Sequence, residues 1–131
     1  MRLLHVEDNP LDADLARRAL TGEGALCHID LAPTLAEARA RLDSGTAYDA
    51  VLTDLHLPDG HGLDLILEIR ARDLATAVVA LTSQGDENVV LAALKAGADD
   101  YLAKNEELPQ RLPNTLRAAM RRFNEDAARH A

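Results

Sequence analysis

Five short apolar runs, each followed by a longer amphipathic stretch, fill this chain. The runs are Arg2–Val6, Ala25–Leu31, Ala50–Thr53, Ala77–Leu81 and Tyr101–Ala103. Ala77–Leu81 is apolar throughout and partly β-branched, as a strand buried on both faces should be. Ala25–Leu31 alternates, with Cys27, Ile29 and Leu31 on one side and His28 and Asp30 on the other, which suits a half-exposed edge strand. The intervening stretches carry helix signals. Asn9-Pro10 caps a segment in which Leu11, Leu15 and Ala19 recur at helical spacing, and Thr34-x-x-Glu37 is a capping box ahead of Leu35, Ala38 and Leu42. Leu63–Ile69 and Asp86–Ala96 are further helices, the second closed by Gly97. A last helix starts near residues 108–113 and carries Leu112, Leu116, Ala119, Met120 and Phe123. Pro58-Asp59-Gly60 marks a turn. Strict strand–helix alternation predicts an α/β fold: a doubly wound, five-stranded parallel sheet covered on both faces.

A length of 131 residues allows one domain, expected over residues 1–124, with residues 125–131 as a frayed tail or the start of a linker. A single cysteine excludes an internal disulfide framework and a cysteine-based zinc site. The net charge of −8 argues against direct nucleic-acid binding, which needs a basic face, and against an anionic membrane surface. No apolar run reaches membrane-spanning length and the start MRLLHVEDNP has no signal-peptide core, so a cytoplasmic location is expected.

In sheets of this kind ligands bind beyond the carboxyl ends of the strands. The first strand ends in Glu7 and Asp8, the third in Asp54, the fourth in Thr82-Ser83 and the fifth in Lys104. Each residue alone reads as a cap or turn residue. Their joint position at one end of alternate elements does not. Three carboxylates converging there need positive charge, from Lys104 and from a hard divalent cation such as Mg²⁺.

These residues carry a resemblance. The stretches Leu4-His5-Val6-Glu7-Asp8-Asn9, Tyr48 to Gly60 around Asp54, Leu81-Thr82-Ser83 and Ala96 to Lys104 resemble, in order and spacing, the receiver domains of two-component response regulators. The resemblance covers about residues 2–123. It implies a flavodoxin-like (βα)5 fold with strand order 2-1-3-4-5. It implies Asp54 as phosphoacceptor, Thr82 as the hydroxyl on the phosphoryl group, and Lys104 as its cationic partner. Glu7, Asp8, Asp54 and the backbone carbonyl of His56 would hold Mg²⁺, and Thr82 and Tyr101 would act as the switch. The donor would be a phosphohistidine on a sensor histidine kinase or a histidine phosphotransfer protein. A downstream protein would read the fourth helix, fifth strand and fifth helix, with phosphorylation-dependent homodimerisation as a further possibility. Asn105 stands where many family members have a proline after the lysine, and a non-proline cis bond there costs about 3 kcal/mol.

His56 and Gln84 lie two residues after Asp54 and Thr82 and are expected to tune the lifetime of the phosphorylated state. His5 and His28 read as structural, His61 and His130 as exposed, and Cys27 as a small buried hydrophobe. The consecutive Val89, Val90 and Leu91 span more of a helix than a core-facing stripe, so at least one should face outward. Two other classes fit less well. A phosphatase with an aspartyl nucleophile needs a second acid where His56 stands, and a purely scaffolding receiver has no use for the complete set of site residues. The expected protein is a signalling phosphoacceptor that catalyses only its own phosphorylation and dephosphorylation.

Overall fold

The computed structural model describes residues 1–22, 27–83 and 87–130. Five parallel strands form the sheet: β1 (Arg2–Val6), β2 (His28–Ala32), β3 (Ala50–Asp54), β4 (Ala77–Thr82) and β5 (Asp100–Ala103). Their order across the sheet is β2-β1-β3-β4-β5, the expected 2-1-3-4-5. Five helices alternate with them: α1 (Pro10–Thr21), α2 (Leu35–Asp43), α3 (Gly62–Ala71), α4 (Glu87–Ala96) and α5 (Leu108–His130). A two-residue antiparallel ribbon, His56–Leu57 against Gly60–His61, lies between β3 and α3.

Successive strand residues feed opposite faces. Leu4, Val6, Val51, Val78 and Ala80 pack with Leu35, Leu65, Ile66, Ile69 and Ala93 from α2, α3 and α4. Leu3, Leu52, Val79, Leu81 and Leu102 pack with Ala16 and Leu20 of α1 and Leu112, Leu116 and Ala119 of α5. Burying each of these leucines contributes roughly 1.5–3 kcal/mol, and aliphatic side chains supply nearly the whole core. Tyr48 is the exception, buried with its hydroxyl donating to Asp30 Oδ2 at 2.6 Å. That bond and burial push its pKa up to about 12, burial being the larger cause.

Two local expectations need correction. The buried stripe of α1 is Ala16 and Leu20, while Leu11 and Leu15 are 76% and 49% exposed. Four-residue spacing identifies a helix but leaves its phase open, and Ala13-Ala16-Leu20 is an equally regular stripe. Leu31 is exposed rather than inward, at the end of an edge strand that α1, seated against α5, leaves uncovered. α5 runs on past residue 124 to His130, with an Arg129–Asp126 pair in its last turns. Pro113 lies inside α5, six residues in, so the helix forgoes one backbone bond there. Among the described residues every peptide bond is trans, including that before Asn105, and no helix is long and apolar enough to cross a membrane.

Candidate functional site

Parallel register brings the strand ends to one edge. Val6 pairs with Ala32 and Thr53, Asp54 with Leu81, and Thr82 with Ala103. Glu7, Asp54, Thr82 and Lys104 therefore stand at adjacent corners of the same rim. Glu7, Asp54 and Thr82 are buried and Asp8 is exposed.

Lys104 is the hub. Its Nζ donates to Asp54 Oδ2 at 2.6 Å and to Asp12 Oδ2 at 3.1 Å, and lies 2.8 Å from Glu7 Oε1. The Glu7 contact is an ion pair without hydrogen-bond geometry, so Oε1 stays buried with no donor aimed at it. Burial lowers the lysine pKa, but the Asp54 and Glu7 carboxylates beside it outweigh that and hold the ammonium above its ordinary range. Burial raises the Glu7 carboxyl, with Lys104 and the Asn9 N–H pulling the other way. That N–H donates to Glu7 Oε2 at 3.2 Å. Asp54 Oδ1 accepts from the His56 N–H at 3.1 Å, which leaves one carboxylate edge toward the loop and the other toward Lys104.

Three carboxylates, those of Glu7, Asp12 and Asp54, thus contact one ammonium, and that of Asp8 stands beside Glu7 and Asp54. One oxygen from each of Glu7, Asp8 and Asp54 lies within 4.8 Å of the others. Hard oxygen donors in excess negative charge, one of them buried without a donor, fit a divalent cation of the Mg²⁺ kind. The site so built can hold such a cation and can present Asp54 as an oxygen nucleophile beside fixed positive charge.

The remaining expected residues fall around this centre. The Thr82 carbonyl accepts from the Lys104 N–H at 2.8 Å, tying the two strand ends together. Tyr101 lies on β5 and is 42% exposed. His56 is exposed with its ring edge-on to His61, centroids 5.3 Å apart. Gln84 lies outside the described residues. Leu91 and Leu94 of α4 are exposed, as the crowding of apolar residues there predicts. Sequence reading missed Asp12, whose signal was its place one helical turn after Asp8 in α1, and it read Asp59 only as a turn residue.

The family model of the response regulator receiver domain matches residues 3–117. The chain is a response regulator receiver domain. It is 39% identical over 122 residues to the transcriptional regulatory protein TcrA of Mycobacterium tuberculosis, covering 93% of this chain and 47% of that protein. It is 37% identical over 127 residues to the KDP operon transcriptional regulatory protein KdpE of Escherichia coli, covering 96% and 54%. The receiver thus spans about half the length of these relatives. Among solved structures, a two-component response regulator from Clostridium difficile superposes with a TM-score of 0.82 at 28% identity, over 95% of this chain and 98% of that one. The beryllofluoride-activated NtrC4 receiver domain dimer does so with a TM-score of 0.79 at 28% identity, over 93% and 98%.

Proposed function

We propose that this receiver is a Mg²⁺-dependent phosphoacceptor whose single acceptor is Asp54. The observation that carries the reading is the Asp54 carboxylate, held between the His56 N–H and Lys104 Nζ beside the carboxylates of Glu7 and Asp8. An Asp54 oxygen attacks phosphorus, the P–N bond of a phosphohistidine breaks, and the imidazole leaves with the electron pair. The product is an acyl phosphate on Asp54. Lys104 and the Thr82 hydroxyl neutralise and bind the phosphoryl oxygens, and transfer needs little beyond positioning and charge. Glu7, Asp8, Asp54 and the His56 carbonyl are the residues to hold Mg²⁺, which supplies further charge neutralisation when bound.

The donor is a sensor histidine kinase or a histidine phosphotransfer protein. The exposed Leu15 beside Asp12 and Lys104, along a groove of about 530 Å³ between α1 and α5, supports a protein docking at the mouth of the site. Thr82 and Tyr101 form the switch, and the face of α4, β5 and α5 passes the state to a protein partner or a second copy. His56 and Gln84 set the lifetime of the acyl phosphate. With a net charge of −8, this segment makes no direct nucleic-acid contact and a cytoplasmic setting suits it. Residues 1–124 are the functional receiver, and residues 125–131 are its tail, the start of a linker.

Incubation with acetyl phosphate and Mg²⁺ tests the reading. Intact mass should show one added phosphoryl group, absent without Mg²⁺ and absent in Asp54→Ala. Persistent labelling of Asp54→Ala would move the acceptor, with Asp8 next in line. Changing His56 and Gln84 to Ala should alter the dephosphorylation rate while leaving Mg²⁺ binding intact.

A further inference from the structure

The loop after Asp54 is fastened at its tip to a helix far away in sequence. Asp59 Oδ1 accepts the Leu35 N–H at 2.8 Å and Oδ2 accepts the Ala36 N–H at 3.0 Å, across 24 and 23 residues. These are the first two N–H groups of α2, which have no partner within the helix. Thr34 Oγ1 takes the third, from Glu37 at 3.1 Å, and the Thr34 carbonyl takes the fourth, from Ala38. Asp59 thereby completes a cap that Thr34 alone leaves half made, and its charge suits the positive end of the helix. The Leu35 and Ala36 N–H groups hold its carboxyl below the usual carboxylate range.

The helix is the fixed partner in this contact. Leu35, Ala38 and Leu42 seat α2 in the core, and Arg39 forks onto Glu68 of α3 with Nε–Oε2 and Nη2–Oε1 both at 2.9 Å. The loop is what stands to move. At its base the Gly62 N–H donates to the Leu55 carbonyl at 2.9 Å, and a Cβ on Gly62 would clash with the Asp54 carbonyl oxygen. At its tip Gly60, with φ +152°, lies over Leu35 so closely that a Cβ would come 2.7 Å from Leu35 Cδ1. Between base and tip runs His56, whose N–H fixes Asp54 Oδ1.

We propose that Asp59 is a positioning residue for the phosphoacceptor. By pinning the loop over residues 55–61 to α2, it holds the His56 peptide where its N–H orients Asp54 and its carbonyl faces the cation site. This rests on the reading of Asp54 and the His56 carbonyl given above. A carboxylate is required for the role because two N–H groups must be accepted at once. An asparagine offers one acceptor oxygen and turns a donor toward the other N–H.

Asp59→Ala, Asp59→Asn and Thr34→Ala separate this role from helix capping, since all three weaken the same helix end but only the Asp59 variants free the loop. In the metal-free protein, amide exchange over residues 55–61 should quicken in both Asp59 variants and stay at the wild-type rate in Thr34→Ala. Mg²⁺ affinity should fall on the order of tenfold in Asp59→Ala, the low end for residues that orient metal ligands, and less in Asp59→Asn. Phosphorylation by acetyl phosphate should slow in parallel. Thr34→Ala, with a lowered thermal midpoint, should bind Mg²⁺ as wild type does. Equal effects of Thr34→Ala and Asp59→Ala on exchange and Mg²⁺ affinity, or no effect of either, would reduce Asp59 to a cap. A wild-type protein that takes no phosphoryl group would instead overturn the reading of Asp54, and the exchange comparison would still decide whether Asp59 holds the loop.

Discussion

Lys104 Nζ lies 2.6 Å from Asp54 Oδ2, a single hydrogen bond joining the ends of β5 and β3 across β4. The same ammonium is the counter-charge to buried Glu7, so one side chain holds two acids whose burial it offsets.

Removing it should be costly. Lys104→Ala leaves Glu7 buried without its ion partner, and should destabilise the metal-free protein by about 2 kcal/mol, less than a fully enclosed pair because the site opens to water. Mg²⁺ should recover part of this loss, seen as a larger Mg²⁺-induced rise in thermal midpoint than in wild type. Urea unfolding with and without Mg²⁺ checks both. A variant as stable as wild type without metal would mean that Glu7 is protonated in the fold.

Asp8 is the exposed member of the acidic trio. Asp8→Asn should weaken Mg²⁺ binding and block phosphorylation together while leaving the fold intact, because its side chain carries no core packing. An Mg²⁺ titration indistinguishable from wild type would remove Asp8 from the cation site.

His5 predicts a pH dependence. The imidazole is 1% exposed on β1 and its Nε2 has no hydrogen-bond partner. Burial, then the Lys104 ammonium, lower its pKa from 6.5 to about 4 against the raising influence of Asp54 and Asp12. Above the unfolded pKa both states are neutral. As pH falls from 6.5 toward about 4, the unfolded chain takes a proton that the folded chain refuses, so stability is lost across that window. At pH 5 the loss should be about 2 kcal/mol. His5→Leu should remove that part of the slope and should be no less stable at neutral pH, since it deletes an unsatisfied polar atom. Urea unfolding at neutral pH and at pH 5 measures the difference; parallel losses in both proteins would show that His5 is not its source.

Phosphorylation adds about −1.5 to −2 charges to a site already acidic. Thr82 should shift onto the new oxygens and Tyr101, now exposed, should turn into the space vacated, a local packing change that biases a two-state element. Hydrogen exchange with beryllofluoride and Mg²⁺ should alter protection in residues 87–104. Changes confined to the Asp54 pocket would exclude the face of α4, β5 and α5 as the output.

Much of this site was legible because register does the assembling. Once five strands run parallel, residues at strand ends share a rim, and the acids and the lysine need no further information to meet. What escaped notice depends on phase and on long-range contacts. The α1 stripe shows this: Leu11, Leu15 and Ala19 announce a helix, but the sheet selects Ala16 and Leu20. Asp59 shows it again, because a Pro-Asp-Gly string describes a turn completely, and nothing local says that the carboxylate reaches α2. Asp12 was within reach of sequence reasoning, one turn beyond Asp8, but its contact with Lys104 joins residues 92 apart.

The scarcity of aromatic side chains has an optical consequence. With no tryptophan and two tyrosines, emission in the tyrosine band of this receiver comes from Tyr48 and Tyr101. Tyr48 donates its hydroxyl to a carboxylate, an arrangement that quenches tyrosine fluorescence through proton sharing in the excited state, and it sits in a part of the core remote from the site. Tyr101 is exposed, and among the described residues no carboxylate accepts from its hydroxyl. The steady-state signal is therefore weighted to Tyr101, so the unlabelled molecule carries a single-residue light gauge at the position where the switch is expected to turn.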